Sequence, residues 1–193
     1  MESYICSIPP KWCAKIADKK KEHEVLKFAP QELPCKVYVY CEEESNPEGK
    51  LRLYINTGWG RKNTGTTSWW RSGNPVVKVN DHLPAYAFDA FLADGKVIGE
   101  FICDSVKTFP FVSDMPTAGQ FLNMPEDDPD AEIDTQPMYL ITEQELQETG
   151  LTYEELEAYG NKTTVYGWHI SNLLIYDKPK DLSDFGIATM SVK

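Results

Sequence analysis

YGWHISNLLIYDKPKDLSDF, residues Tyr166–Phe185, is the stretch that says most about how this chain folds. Its apolar centre predicts a last β-strand from Trp168 to Tyr176, which ends before Pro179 because proline has no amide hydrogen to donate. Trp168 and His169 are neighbours, so on a strand their side chains point to opposite faces. The alternation leaves open which of the two side chains faces a pocket and which faces the core.

Three further strands are predicted from β-branched and aromatic residues. Lys36–Cys41 (KVYVYC) alternates between apolar and more polar positions, and a second strand follows at Leu51–Asn56. Lys96–Asp104 (KVIGEFICD) is apolar on both faces except at Glu100, which is typical of a strand in the middle of a covered sheet or barrel.

Short helices are predicted at three places. Pro10 suits a helix start near the N-terminus, and the following Trp12, Cys13 and Ile16 share one helical face. Two later segments carry capping boxes, in which a threonine is followed three residues later by a glutamate. The capping boxes are Thr142 with Glu145 and Thr152 with Glu155; Gly150 separates the two helices and Gly160 ends the second.

The predicted fold class is therefore α+β. The chain of 193 residues suits a single domain over residues 1–193, and the strand spacing favours a small, partly open β-barrel with flanking short helices. Residues 57–93 and 108–141 are predicted to be insertions or long loops, since they are rich in Gly, Pro, Asp and Thr.

Charge is distributed unevenly along the chain, whose net charge is −11. Residues 49–80 hold six Lys or Arg and no acid, whereas residues 108–161 hold thirteen acids and no Lys or Arg. No run of about 18 apolar residues is present, so we expect no contact with a membrane. The N-terminus lacks the order of a signal peptide, and the expected location is the cytoplasm.

The five cysteines, at positions 6, 13, 35, 41 and 103, are expected to be buried reduced thiols. Their number is odd, they form no CxxC pair, and only three histidines accompany them, which argues against a disulfide framework and a zinc site. No metal and no cofactor is expected.

Several short motifs together resemble a known family. They are PKWCAKI (10–16), KKKEHE (19–24), VYVY (37–40), GKVIGEF (95–101), YGWHIS (166–171) and IYDKPKDLSDF (175–185). In this order they resemble the ASCH domain family of the PUA-like superfamily, as found in bacterial and bacteriophage proteins. The resemblance covers about residues 4–48, 94–106 and 142–185. It implies a small PUA-like β-barrel with helices beside a pocket, and recognition of RNA or a modified nucleoside.

The resemblance also implies where a site would lie. Lys21 matches the lysine of the family's turn motif and Glu24 its glutamate, whereas Leu26 stands where the family has arginine. One branch of the family hydrolyses N4-acetylcytidine with a lysine, a threonine three residues later and a distant glutamate. In that scheme Lys21, Glu24 and Glu148 are the candidate catalytic residues, with Glu24 in place of the threonine.

A second group of candidates suits single-stranded nucleic acid, because bases stack on aromatic rings and cations pair with phosphates. The alternative for the tryptophans is packing on the body of the domain, and His169 is otherwise a structural imidazole. The candidate ligand-binding residues are Lys20, Trp59, Arg61, Trp69, Trp70, Arg71, Trp168 and His169.

Three functions stay open on the sequence. The first is recognition of RNA or a modified nucleoside in a pocket beside Lys21. The second is an amidohydrolase that acts on N4-acylated cytidine-like substrates. The third is a non-enzymatic phage or host interaction protein that binds a protein partner through the acidic helices, residues 143–157; the plain alternative is a solvated helix face.

Overall fold

The structure is a computed structural model that describes residues 1–43, 52–56, 76–80, 90–116 and 135–185. Within these ranges the chain forms twelve strands, three α-helices and one 3-10 turn (Leu182–Phe185). The helices are α1 (Pro10–Ala17), α2 (Glu143–Thr149) and α3 (Tyr153–Gly160). The strands are β1 (Ser3–Ile8), β2 (His23–Leu26), β3 (Cys35–Cys41), β4 (Arg52–Asn56), β5 (Val76–Asn80), β6 (Ala90–Leu92), β7 (Lys96–Cys103), β8 (Val106–Phe109), β9 (Phe111–Pro116), β10 (Thr135–Tyr139), β11 (Val165–His169) and β12 (Ser171–Lys180).

The described strands form four sheets. The first sheet has the order β1-β3-β7-β12 and the second sheet the order β2-β11-β8; β5-β4-β6 and β9-β10 make two smaller sheets. In the part of the chain that is described, none of these sheets closes on itself. The predicted α+β class is confirmed, because strands predominate and the helices are short.

Two predicted strands lie in the first sheet where their patterns place them. In β3 every second side chain is buried, including Val37 and Val39, as the alternation predicts. β7 lies between β3 and β12, and both of its faces are covered, since the adjacent Val97 and Ile98 point to opposite faces and are both buried. Glu100, its exception, is held by the Lys36 ammonium (2.8 Å) and by the Tyr176 hydroxyl (2.6 Å).

The predicted last strand is in fact two strands, and the single strand from Trp168 to Tyr176 is wrong. β11 joins the second sheet and β12 joins the first, with the change at Ile170. Asn172 takes a left-handed conformation (φ 49°), which asparagine tolerates better than most residues. Between the two strands, the Ile170 amide donates to the Glu22 carbonyl (2.8 Å).

The range 108–141, predicted as an insertion or long loop, contains regular structure. β9 and β10 pair as an antiparallel hairpin, with Phe111 opposite Tyr139. Their rings pack at 5.2 Å between centroids, and Tyr139 is fully buried. The Asp- and Pro-rich run at residues 124–134, on which the loop prediction rests, lies outside the described residues. Within the other range, 57–93, the described residues form β5 and the three-residue strand β6.

Both predicted capping boxes are present at the starts of α2 and α3. Gly150 ends α2 in a left-handed conformation (φ 66°), as expected. Gly160 is the last residue of α3, as predicted, and Asn161 (φ 49°) makes the left-handed cap. No helix in the described ranges is long and apolar enough to cross a membrane.

The second sheet separates two buried clusters. One face packs on the larger cluster, which contains Trp168, Leu26 and the core of the first sheet. The other face packs Val25, Phe109 and Val165 against α2 and α3. All five cysteines are buried and free, as predicted for reduced thiols.

Candidate functional site

A cavity of about 380 Å³ opens where the turn after α1 meets the passage from β11 to β12. Two residues in left-handed conformations shape it, Lys19 (φ 56°) on one side and Asn172 on the other. Its walls combine apolar and charged side chains. The lining residues are Ile16, Lys19, Lys21, Glu22, Ile170, Asn172 and Leu173.

A buried ion pair lies at this cavity. The Lys21 ammonium is 3.4 Å from Glu24 Oε2, and the two side chains are 1% and 9% exposed. Burial raises the pKa of the Glu24 carboxyl, and the positive charge of Lys21 opposes that rise. Glu24 Oε2 has no hydrogen-bond partner, which is unusual for a buried carboxylate oxygen. The Lys21 ammonium also lies 5.2 Å from the centre of the Trp12 ring.

Strand geometry explains why Glu24 is buried on this side. Glu24 is directly opposite Trp168 in the pairing of β2 with β11, and both side chains point into the larger cluster. All four residues of β2 are buried, so side chains on both faces of this strand are covered. The reason is that both faces of the second sheet are covered, one by the larger cluster and the other by α2 and α3.

Glu148 does not join Lys21 and Glu24. Its main-chain carbonyl accepts from the Glu22 amide (2.7 Å), so its backbone reaches the Lys21 turn. Its carboxylate, however, lies 2.7 Å from the Lys107 ammonium and accepts from Gln144 (3.1 Å). These two contacts lower the pKa of Glu148. Among the described residues, no ion pair links Glu148 to Lys21.

The opposite face of the second sheet carries a polar cluster of its own. His23 Nδ1 is 3.6 Å from Glu148 Oε2, and the His23 and His169 rings are 5.3 Å apart between centroids. His169 Nδ1 lies 2.6 Å from Asp104 Oδ1, a contact that lowers the pKa of Asp104. Burial lowers the pKa of His23, and the nearby Lys107 lowers it further.

Three members of this cluster, His23, Asp104 and Lys107, are not among the residues that the sequence predicts for a site. Each is polar and ordinary in its local context, and they meet only because β11 lies between β2 and β8. No spacing in the sequence signals that pairing, since His23 and His169 are far apart along the chain. Within the described ranges, no group of His, Cys, Asp and Glu could hold a metal ion.

Trp168, a candidate ligand-binding residue, lies in the core. It is fully buried, and its indole N–H donates to the Phe28 carbonyl (2.9 Å). The rings of Tyr4 and Phe28 meet it edge-on at 5.0 and 5.3 Å between centroids. It therefore presents no surface to a ligand, because packing already uses both its ring and its one hydrogen-bond donor. His169 points the other way, as the alternation requires.

The remaining candidates fall in three places. Lys20 is exposed and pairs with Asp18 (3.1 Å) beside the cavity. The acidic helices are partly engaged within the molecule, since Glu155 pairs with Lys11 (2.5 Å) and Glu145 lies 3.7 Å from Lys107. The loop candidates lie outside the described residues; they are Trp59, Arg61, Trp69, Trp70 and Arg71.

No family model matches the chain, and no curated protein matches it in sequence. The resemblance to the ASCH family therefore rests on the motifs of the chain itself.

Proposed function

We propose that this protein recognises a nucleobase, in RNA or in a modified nucleoside, in the cavity beside Lys21. The observation that supports this is the buried Lys21–Glu24 pair, of which Lys21, but not Glu24, lines the cavity. Taking two charges out of water costs desolvation energy, so a buried ion pair is weak evidence for a purely stabilising role. A ligand with a hydrogen-bond acceptor can take up the donor capacity of the Lys21 ammonium.

A nucleobase edge has that chemistry. The Lys21 ammonium can donate to a ring nitrogen or carbonyl oxygen, and the Glu22 carboxylate, which also lines the cavity, can accept from an amino or imino group. Ile16, Ile170 and Leu173 supply apolar contacts for the faces of a planar ring. A volume of about 380 Å³ is within the usual range for small-ligand sites.

The fold that we propose for this site is the PUA-like barrel of the ASCH family. At two places the chain passes from one main sheet to the other within one or two residues, between β7 and β8 and between β11 and β12. Strands that change sheets at a bend are how orthogonal β packings form their corners. The first two sheets also share the larger buried cluster, as the walls of a small barrel would.

Binding is favoured over amide hydrolysis. The hydrolytic scheme requires Glu148 to act with Lys21, but its carboxylate is engaged by Lys107 on the opposite face of the second sheet. A general acid or base must come within hydrogen-bond reach of the reacting group. An enzyme that used only Lys21 and Glu24 would lack the third group of that scheme.

The test is a panel of nucleosides, including N4-acetylcytidine, and short RNA strands, read as a change in melting temperature. We expect at least one member to raise it, since a ligand that binds only the folded state stabilises by mass action. Lys21→Met should remove that rise, whereas Lys178→Met, at an exposed lysine on β12, should keep it.

The proposal is wrong if no member of the panel stabilises the protein, or if Lys21→Met responds as the wild type does. Release of acetate from N4-acetylcytidine, lost in Lys21→Met, would instead favour the amidohydrolase.

A further inference from the structure

The outside of the cavity carries a concentration of lysines. Five lysines fall between residues 11 and 21 in a chain whose net charge is −11. Lys19 and Lys21 line the cavity, and the other three lie on the surface beside it. We call these three, Lys11, Lys15 and Lys20, the lysine surface.

An aromatic ring lies among these charges. The ammonium groups of Lys11 and Lys15 are each 4.5 Å from the centre of the Trp12 ring. The Lys21 ammonium is 5.2 Å from the centre of the same ring. Partial burial and the neighbouring ammonium of Lys11 lower the pKa of Lys15. Positive charges are thus crowded here, which favours the arrival of an anion.

Only part of this charge is neutralised within the described residues. Lys11 has Glu155 and Lys20 has Asp18, but the Lys15 ammonium donates to the main-chain carbonyl of Gly150 (2.6 Å). No ion pair in the described ranges joins Lys15 or Lys19 to an acid. The exposed pairs are also weak, because water and salt screen them.

The strands that lie next to α1 come from the part of the sequence that holds basic but no acidic residues. α1 lies against β4 and β5, which fall within the acid-free range 49–80. No acidic residue of β4 or β5 is therefore available to cancel the charge of α1 from that side.

We infer that the base bound in the cavity belongs to a single nucleic-acid strand, whose phosphodiester backbone runs over the lysine surface. This inference rests on the proposed function and names its ligand as a nucleotide strand rather than a free nucleoside. Phosphates supply the anions that the ammonium groups attract, and an indole ring suits stacking of a neighbouring base. An acidic peptide would use the lysines but would leave the cavity and the ring without a role.

The probe is a fluorescein-labelled pool of eight-nucleotide RNA strands of random sequence, read by anisotropy between 50 and 200 mM KCl. For a single strand, the logarithm of the affinity falls with the logarithm of salt by about 0.7 per phosphate contacted. Three contacts from the lysine surface therefore give a slope of about −2, or roughly a 20-fold loss over this range.

The triple variant Lys11→Gln, Lys15→Gln and Lys20→Gln should make the slope shallower by about 2. The matched control changes three exposed lysines elsewhere, Lys27, Lys178 and Lys180, and should keep the wild-type slope. If the triple variant folds poorly, Lys20→Gln alone should reduce the slope by about 0.7, and its side chain is 70% exposed. Binding of a stabilising nucleoside should be unchanged in all of these variants.

The outcomes separate the two proposals. The inference is overturned, and the proposed function stands, if nucleosides bind and RNA binds no more tightly than they do. The same conclusion follows if RNA binds with equal salt slopes in the triple variant and its control. Equal competition by an eight-residue polyglutamate peptide overturns it too, in favour of an acidic protein partner. If neither nucleoside nor RNA binds, the proposed function fails and this inference fails with it.

Discussion

The two faces of β2 carry similar charged groups in different surroundings. On one face, Glu24 lies beside the Lys21 ammonium and the cavity, and its Oε2 has no partner. On the other face, His23 Nδ1 also lacks a hydrogen bond, and it lies 3.6 Å from Glu148 Oε2. We call these the Glu24 face and the His23 face.

The difference is the reason why we propose a binding site on the Glu24 face and a structural cluster on the His23 face. On the His23 face, most of the polar groups pair with one another: Lys107 holds Glu148, and Asp104 holds His169. His23 Nδ1 has no hydrogen bond, and the Lys107–Glu148 contact attaches α2 to the second sheet. On the Glu24 face, Lys21 lines the cavity, whereas His23, Asp104, Lys107, Glu148 and His169 of the other face do not. We therefore propose that a ligand binds on the Glu24 face.

The largest effect is expected from Lys21→Met on the Glu24 face. Removal of one partner of a buried ion pair typically costs about 3–5 kcal/mol, because the other charge is left unpaired. The double variant Lys21→Met with Glu24→Leu should recover most of that loss. Denaturant unfolding at pH 7 measures both. A loss below about 1 kcal/mol in the single variant would mean that the pair does not matter to stability.

The pH dependence of Lys21→Met follows from the same carboxyl. Burial raises the pKa of Glu24, so the folded state binds the proton more tightly than the unfolded state does. Stability therefore increases as pH falls from neutral towards the ordinary glutamate pKa, and the loss in Lys21→Met should shrink in that direction. An equal loss at pH 5 and pH 7 would contradict a desolvated carboxyl at this position.

An intermediate effect is expected from Gly167→Ala on the His23 face. A Cβ at this position would lie 2.7 Å from the buried Phe109 ring and 3.5 Å from His23 Cβ. Overpacking of this kind costs about 1–3 kcal/mol. Phe109→Leu in the same chain should recover part of the loss if the ring is the obstacle. Thermal unfolding of the three proteins checks this, and ligand binding on the Glu24 face should survive.

A smaller effect is expected from the titration of His23. Burial and Lys107 lower its pKa, while Glu148 opposes them and His169 adds to the lowering. The unfolded state then takes up the proton first as pH falls below about 6.5, so stability decreases from there downwards. The slope stays below about 1.4 kcal/mol per pH unit, the limit for one proton. His23→Gln should flatten the profile between pH 5 and 6.5, and an unchanged profile would contradict the assignment.

The smallest effect on stability is expected from Lys107→Met, because this side chain is 39% exposed and exposed ion pairs contribute at most about 1 kcal/mol. The His23 pKa should rise nonetheless, since a positive neighbour is lost and Glu148 becomes free to pair with the imidazolium. Proton NMR of the histidine ring resonances against pH measures this. A lower His23 pKa in the variant would contradict the described contacts.

The sequence predicted those parts of the structure that depend on local patterns. The alternation at Val37 and Val39 and the capping boxes at Thr142 and Thr152 are local, and they are present. The change of sheet at Ile170 depends instead on which distant strands lie beside β11 and β12, and no local pattern records that pairing.

The candidate site shows the same limit. Lys21 and Glu24 are three residues apart, so their association follows from a short motif. The separation of Glu148 from them depends on Lys107, which lies on a strand more than 80 residues from Lys21. The burial of Trp168 depends likewise on the distant Tyr4 and Phe28. Pairing of distant strands therefore decides which polar residues share a face, and the sequence alone does not reveal it.

The assignment of the site to one face can be observed by two-dimensional ¹⁵N–¹H NMR during titration with the RNA pool or a stabilising nucleoside. If ligand binds beside Lys21, the amides of Lys21, Glu22 and Asn172 and the indole of Trp12 should shift. The amides of Asp104 and Lys107 and the indole of Trp168 should stay in place. Shifts centred on Asp104, Lys107 and His169, with the cavity residues unchanged, would place the site on the His23 face and contradict the proposal.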